Sequence, residues 1–129
     1  MGLKTEKIET VASLDATTTA TIKAALFPVN AQTGTTYTLS ATDWGKTITL
    51  SNANPITLTC PQNTTEDLPD GFYCTLVWKG VGQPTVVKEG ADNLRFAAGL
   101  GPRLRAQYSQ ASITKITDAE FYLAGDITA

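Results

Sequence analysis

Apolar and hydroxyl-bearing side chains alternate one by one through three short runs of this chain. They are Tyr37-Thr38-Leu39-Ser40, Lys46-Thr47-Ile48-Thr49-Leu50-Ser51 and Pro55-Ile56-Thr57-Leu58-Thr59-Cys60. Period-two alternation places every second side chain on one face of a pleated strand, which buries that face and wets the other. Strands are therefore predicted at 35–40, 46–51 and 55–60. The run Gly71-Phe72-Tyr73-Cys74-Thr75-Leu76-Val77-Trp78 is the most apolar and predicts a strand near the centre of a sheet. Shorter strand-like runs follow at 85–88, 94–96, 104–108, 111–116 and 120–125.

Turn residues separate these runs. Asp43 and Gly45, Asn52 to Pro55, Gly80 to Pro84 and Asp118 all stand where turn chemistry favours them. The polar stretch 61–70, with two prolines, predicts a surface loop. Short strands, mostly at intervals of 8–12 residues, predict an all-β fold, an antiparallel β-sandwich, jelly-roll-like or barrel-like. No internal repeat of fixed period is visible, which argues against a solenoid.

The first residues read differently. Thr5 to Val11 is mixed and charged, and 14–21 is crowded with threonine. Asp15 could cap a short helix that ends before Pro28, with Ile22, Ala25 and Leu26 on one face. The threonine cluster disfavours a helix, so an extended arm stays equally open. The expected organisation is an N-terminal arm over 1–33 and a sandwich domain over 34–129.

Composition removes most chemistry. The 129 residues include no histidine, so there is no Ser-His-Asp or Cys-His arrangement and no imidazole ligand. Ten basic and twelve acidic residues, spread along the chain, give a net charge of −2 and no basic stripe, which disfavours nucleic acid. No apolar run approaches the ~20 residues that cross a bilayer. The opening residues have no secretory h-region. Synthesis in the cytoplasm without a membrane anchor is the expectation.

Glu66, Asp67 and Asp70 share one loop and are the acidic candidates for a glycosidase pair, yet solvated turn acids explain them better. The stretch Gly99-Leu100-Gly101-Pro102 lacks phosphate-loop spacing and reads as a connection between strands. Asn63-Thr64-Thr65 matches a glycosylation sequon but carries no weight without a secretory route. Cys60 and Cys74 lie in phase with apolar neighbours. They read as small buried hydrophobes, with a disulfide open if their Cα atoms approach within ~7 Å. No metal, cofactor or enzymatic activity is expected. Most aromatics fall in phase with aliphatic strand residues and predict core. Several of them on one exposed face would instead make a stacking surface for sugars or bases. Trp44, in a turn, either caps the core or meets a partner chain.

The runs Tyr37 to Asn52, Ile56 to Pro61, Leu104 to Ala111 and Phe121 to Asp126, in that order, resemble a module of tailed-bacteriophage virion proteins. The module occurs in tail fibres, spikes and small head-decoration proteins. Its opening "Y-T-L…D-x-G-K…L-x-N" and its end "F-Y-L-x-G-D" are the most specific parts. Trp44 departs from the pattern, standing where a small residue is usual, and the cysteines are atypical. The resemblance implies a β-sandwich that assembles as a homotrimer on the particle and catalyses nothing. Because the module fills most of the chain, a capsid decoration (cement) protein is expected, bound to the major capsid protein lattice at the virion surface. Its arm would lie on the capsid through Leu3, Ile8, Val11, Leu14, Ile22, Leu26 and Phe27, joined by Trp44. The alternative is a tail-fibre or receptor-binding module contacting host surface glycans.

Overall fold

The computed structural model describes residues 28–117 and 119–129. Among them are eleven short strands: β1 Val29–Gln32, β2 Thr36–Thr38, β3 Thr47–Leu50, β4 Ile56–Cys60, β5 Tyr73–Trp78, β6 Pro84–Lys88, β7 Asn93–Arg95, β8 Arg103–Leu104, β9 Gln110–Thr117, β10 Glu120–Gly125 and β11 Ile127–Thr128. Sheet A has the order β1-β3-β5-β9-β10-β7 and sheet B the order β11-β8-β6-β4-β2. The predicted all-β sandwich is what forms, and β5 is an inner strand of sheet A as its apolar run predicts. The alternation reads out directly, with Ile48 and Leu50 of β3 and Ile56, Leu58 and Cys60 of β4 buried while the intervening threonines are not.

Three features differ from the sequence reading. The sandwich starts before residue 34: β1 pairs with β3, so Val29 to Gln32 belong to the sheet and not to an arm. That strand is short and only half apolar, and it gains its place by tertiary pairing. Residues 1–27 lie outside the described residues, so the arm itself and its helix-or-extended alternative do too.

The second difference is pairing. β1, β3 and β5 run parallel, as do β2, β4 and β6, and only the remainder is largely antiparallel. The cause is the path of the chain, which changes sheet after every strand from β1 to β6. Each return to a sheet therefore runs in the same direction as the last, which a hairpin never gives. The third difference follows from this. The first six strands wind as a short coil, contrary to the reading against a solenoid. Its turns are unequal: Val29 stacks on Thr47, and Thr47 on Thr75, steps of 18 and 28 residues. Unequal steps leave no period to find.

The core lies between the sheets and includes Ile48, Leu50, Leu58, Phe72, Leu76, Ile113 and Phe121, all essentially without solvent contact. The loop 61–70 closes one end by burying Leu68. Lys115, on the inner face of β9, is also buried, and its ammonium donates to Asn63 Oδ1 (2.9 Å) and to the Leu68 carbonyl. At the other side Asp43 joins three elements. Its carboxylate accepts from Tyr37 OH (2.6 Å), Asn30 Nδ2 (2.8 Å) and Ser40 N–H (3.0 Å), which ties β1, β2 and a single 3-10 turn together. A buried carboxylate with three donors is satisfied, where an unpartnered one would be costly.

Candidate functional site

The outer face of sheet A is the part of the molecule that differs most from a bland solvated surface. Register alignment puts Val29, Thr47, Thr75, Ser112 and Ala124 in one row across it. A second row runs Tyr73, Thr114, Tyr122, Arg95. Adjacent aromatic residues stand at β5 and β10, Phe72/Tyr73 and Phe121/Tyr122. In each pair the phenylalanine enters the core and the tyrosine faces outward, 52% exposed for Tyr73 and 40% for Tyr122.

The two ends of this face have different chemistry. At the β1 end Val29 is 64% exposed and Trp44 50%. Pro28 lies beside β3, accepting a hydrogen bond from Thr47 N–H (3.2 Å), and Trp44 stands just upstream of that strand. Pro28, the first described residue, thus stands at the β1–β3 edge, with exposed Val29 next to it in the chain. Of the sequence-predicted contact residues only Trp44 is described, and it is exposed in its turn and does not cap the core. Leu3, Ile8, Val11, Leu14, Ile22, Leu26 and Phe27 lie outside the described residues.

At the β7 end a hollow of about 600 Å3 opens beside β7 and β10, lined by Leu94, Phe96, Ala97 and Tyr122 among others. Arg95 Nε donates to Glu120 Oε2 (2.9 Å), and Tyr122 OH donates to Glu120 Oε1 (2.8 Å). Glu120 therefore holds both neighbours in place. Its acidity is strengthened first by the Tyr122 hydrogen bond and then by Arg95, while the Tyr122 hydroxyl is made less acidic by the same bond. Sequence reasoning missed this cluster because Arg95 and Glu120 are far apart in the chain. Only the parallel pairing of β7 with β10 brings them together.

The other candidates have structural roles. Glu66 accepts a hydrogen bond from Ala41 N–H (3.2 Å), while Asp67 and Asp70 are exposed. Asn63 of the sequon is engaged by Lys115. Cys60 and Cys74 are free and buried; burial is the first cause raising both thiol pKa values, that of Cys74 to about 12. Among the described residues no group of three or more Cys, Asp or Glu could hold a metal ion, and no helix is long and apolar enough to cross a membrane.

The residues that carry the resemblance also prove to be structural. Tyr37 and Asp43 bond to each other, and Gly45 takes φ +76 in the following turn. Asn52 donates through Nδ2 to the Thr33 carbonyl (2.7 Å). Arg105 grips Asp126 through two hydrogen bonds, and Ser109 Oγ donates to the same carboxylate (2.8 Å). No protein-family model, curated protein or solved structure matches this chain.

Proposed function

We propose that this protein is a non-catalytic structural subunit of a tailed-phage virion, most specifically a capsid decoration protein that binds the assembled head as a trimer. One observation carries the reading: Val29 and Trp44, both exposed, lie at or just before the two strands that pair at the β1–β3 edge, where Pro28 is the first described residue. Exposed large apolar side chains at the edge of a sheet suit contact with a partner surface. The residue pattern of the virion module supports the same class. Binding only the assembled lattice would stabilise that state by mass action, and three attachment points would raise avidity without a tight single contact. The runner-up is a tail-fibre or receptor-binding module, which would bind host cells in place of heads.

The test is co-sedimentation of the purified full chain with undecorated heads. Stoichiometric binding is expected, with an affinity at least about tenfold lower for Trp44→Ser, the loss typical of a truncated aromatic anchor. Removal of residues 1–27 should also weaken binding while sparing β1. A cut at residue 33 would confuse the result, because it takes the edge strand and Asn30 with it. Parental decoration by both variants would defeat the proposed contact, and binding to host cells alone would move the protein to the fibre.

A further inference from the structure

We propose that the hollow beside β7 and β10 binds a neutral saccharide, with Phe96 and Tyr122 receiving a ring face and Arg95, held by Glu120, donating to its hydroxyls. Phe96, 37% exposed, and Tyr122 both line the hollow. Its volume of about 600 Å3 falls within the ~300–1,000 Å3 typical of small-molecule sites, which combine apolar walls with a few fixed polar groups. Sugar rings present C–H groups on one face, which suit an aromatic surface, and hydroxyls at the edge that both donate and accept.

The polar groups here have that dual character. The Arg95 guanidinium retains donors beyond the Nε–H that meets Glu120, and the Tyr122 hydroxyl oxygen, whose proton goes to Glu120, keeps lone pairs that accept. Arg95 and Glu120 cancel each other's charge, so neither a phosphate nor an ammonium gains a net partner. The Tyr122–Glu120–Arg95 chain fixes the polar groups before a ligand arrives, which lowers the entropy cost of binding. The surface also continues. Thr114 lies next to Tyr122 in the register row and Tyr73 beyond it, two strand spacings or roughly 10 Å across. That row has room for further rings of an oligosaccharide and adds a second aromatic.

This inference does not depend on where in a particle the protein sits. The measurement is NMR titration of the 15N-labelled full chain with maltotetraose, cellotetraose and chitotetraose, and separately with inorganic phosphate and adenosine. Saturable shifts from at least one tetrasaccharide are expected, confined to residues 93–97, 112–116 and 120–124. Phe96→Ala should weaken that binding about tenfold, the scale of one aromatic contact, with the remaining spectrum unchanged because Phe96 is on the surface. Arg95→Met, which keeps the stem and removes the donors, should weaken it similarly. Absence of shifts with all three saccharides at millimolar concentration overturns the proposal. So do shifts elsewhere on the molecule, an undiminished response in both variants, or a response to phosphate or adenosine alone. Head binding by Phe96→Ala should equal that of the parent, so failure of the saccharide site and failure of capsid decoration are separately visible.

Discussion

Gly82→Ala should destabilise the sandwich by roughly 2–4 kcal/mol, a large share of the ~5–15 kcal/mol that holds a domain of this size. The turn after β5 lies against the turn after β3, because residues 47–60 stack on 75–88 at a constant 28-residue step. A Cβ on Gly82 would stand 1.9 Å from the Asn54 carbonyl oxygen, 2.1 Å from its carbon and 2.7 Å from Pro55 N. All three are backbone atoms, so no side chain can swing away. Relief to ordinary contact near 3.5 Å needs a movement of about 1.5 Å between the turns. Overpacking of this kind costs ~1–3 kcal/mol. The shift also breaks the hydrogen bond from Gly82 N–H to the Asn52 carbonyl (2.8 Å), worth ~1 kcal/mol. Gly34→Ala is the control, since its nearest neighbour is 3.8 Å away and it should be neutral or stabilising by up to ~1 kcal/mol. Urea denaturation followed by far-ultraviolet circular dichroism reads both, and the midpoint should fall for Gly82→Ala without a change in slope. In thermal melts the same loss is about 10–20 °C. Equal midpoints for the two variants would refute the stacked-turn reasoning.

Two further outcomes follow from the buried polar groups and thiols. Burial, then the hydrogen bond to Asp43, raises the Tyr37 hydroxyl from 10.0 to about 12. The folded chain thus keeps a proton that the unfolded chain releases near pH 10, so Tyr37 contributes fully below pH 10 and its contribution drains away towards pH 12. Urea midpoints between pH 9 and about 12 should show that decline in the parent and a shallower one in Tyr37→Phe; parallel curves would contradict the assignment. Cys60 and Cys74, both buried with raised pKa values, should resist a thiol-specific chromogenic reagent in the native state and react at once in denaturant. Rapid native labelling of either would show that the core opens there.

Much of the sandwich is legible residue by residue. The alternating runs locate β3 and β4 to within a residue, and Asp43 and Gly45 mark the turn before β3. Direction of pairing is not encoded that way. A strand's alternation looks the same whether its neighbour runs up or down, and only the sheet-to-sheet path of the chain decides it. β1 and β11 escape because both are short and gain their strand character from the neighbours they pair with. The hollow escapes for the same reason: Arg95 and Tyr122 of its lining are far apart in the chain until β7 and β10 are aligned. Asn52 is intermediate. Its turn role is readable, but its side chain also reaches the preceding coil at Thr33, and its carbonyl takes the Gly82 N–H of the next.

β9 occupies the middle of sheet A, bonded on one side to β5 and on the other to β10. A growing polypeptide therefore leaves the ribosome with its most apolar strand, β5, lacking a neighbour on one flank until β9, some thirty residues further along, emerges. Until β9 is inserted, the bare flank is open to strands of other nascent molecules. Slow synthesis or high expression temperature should thus act on yield through this one late insertion.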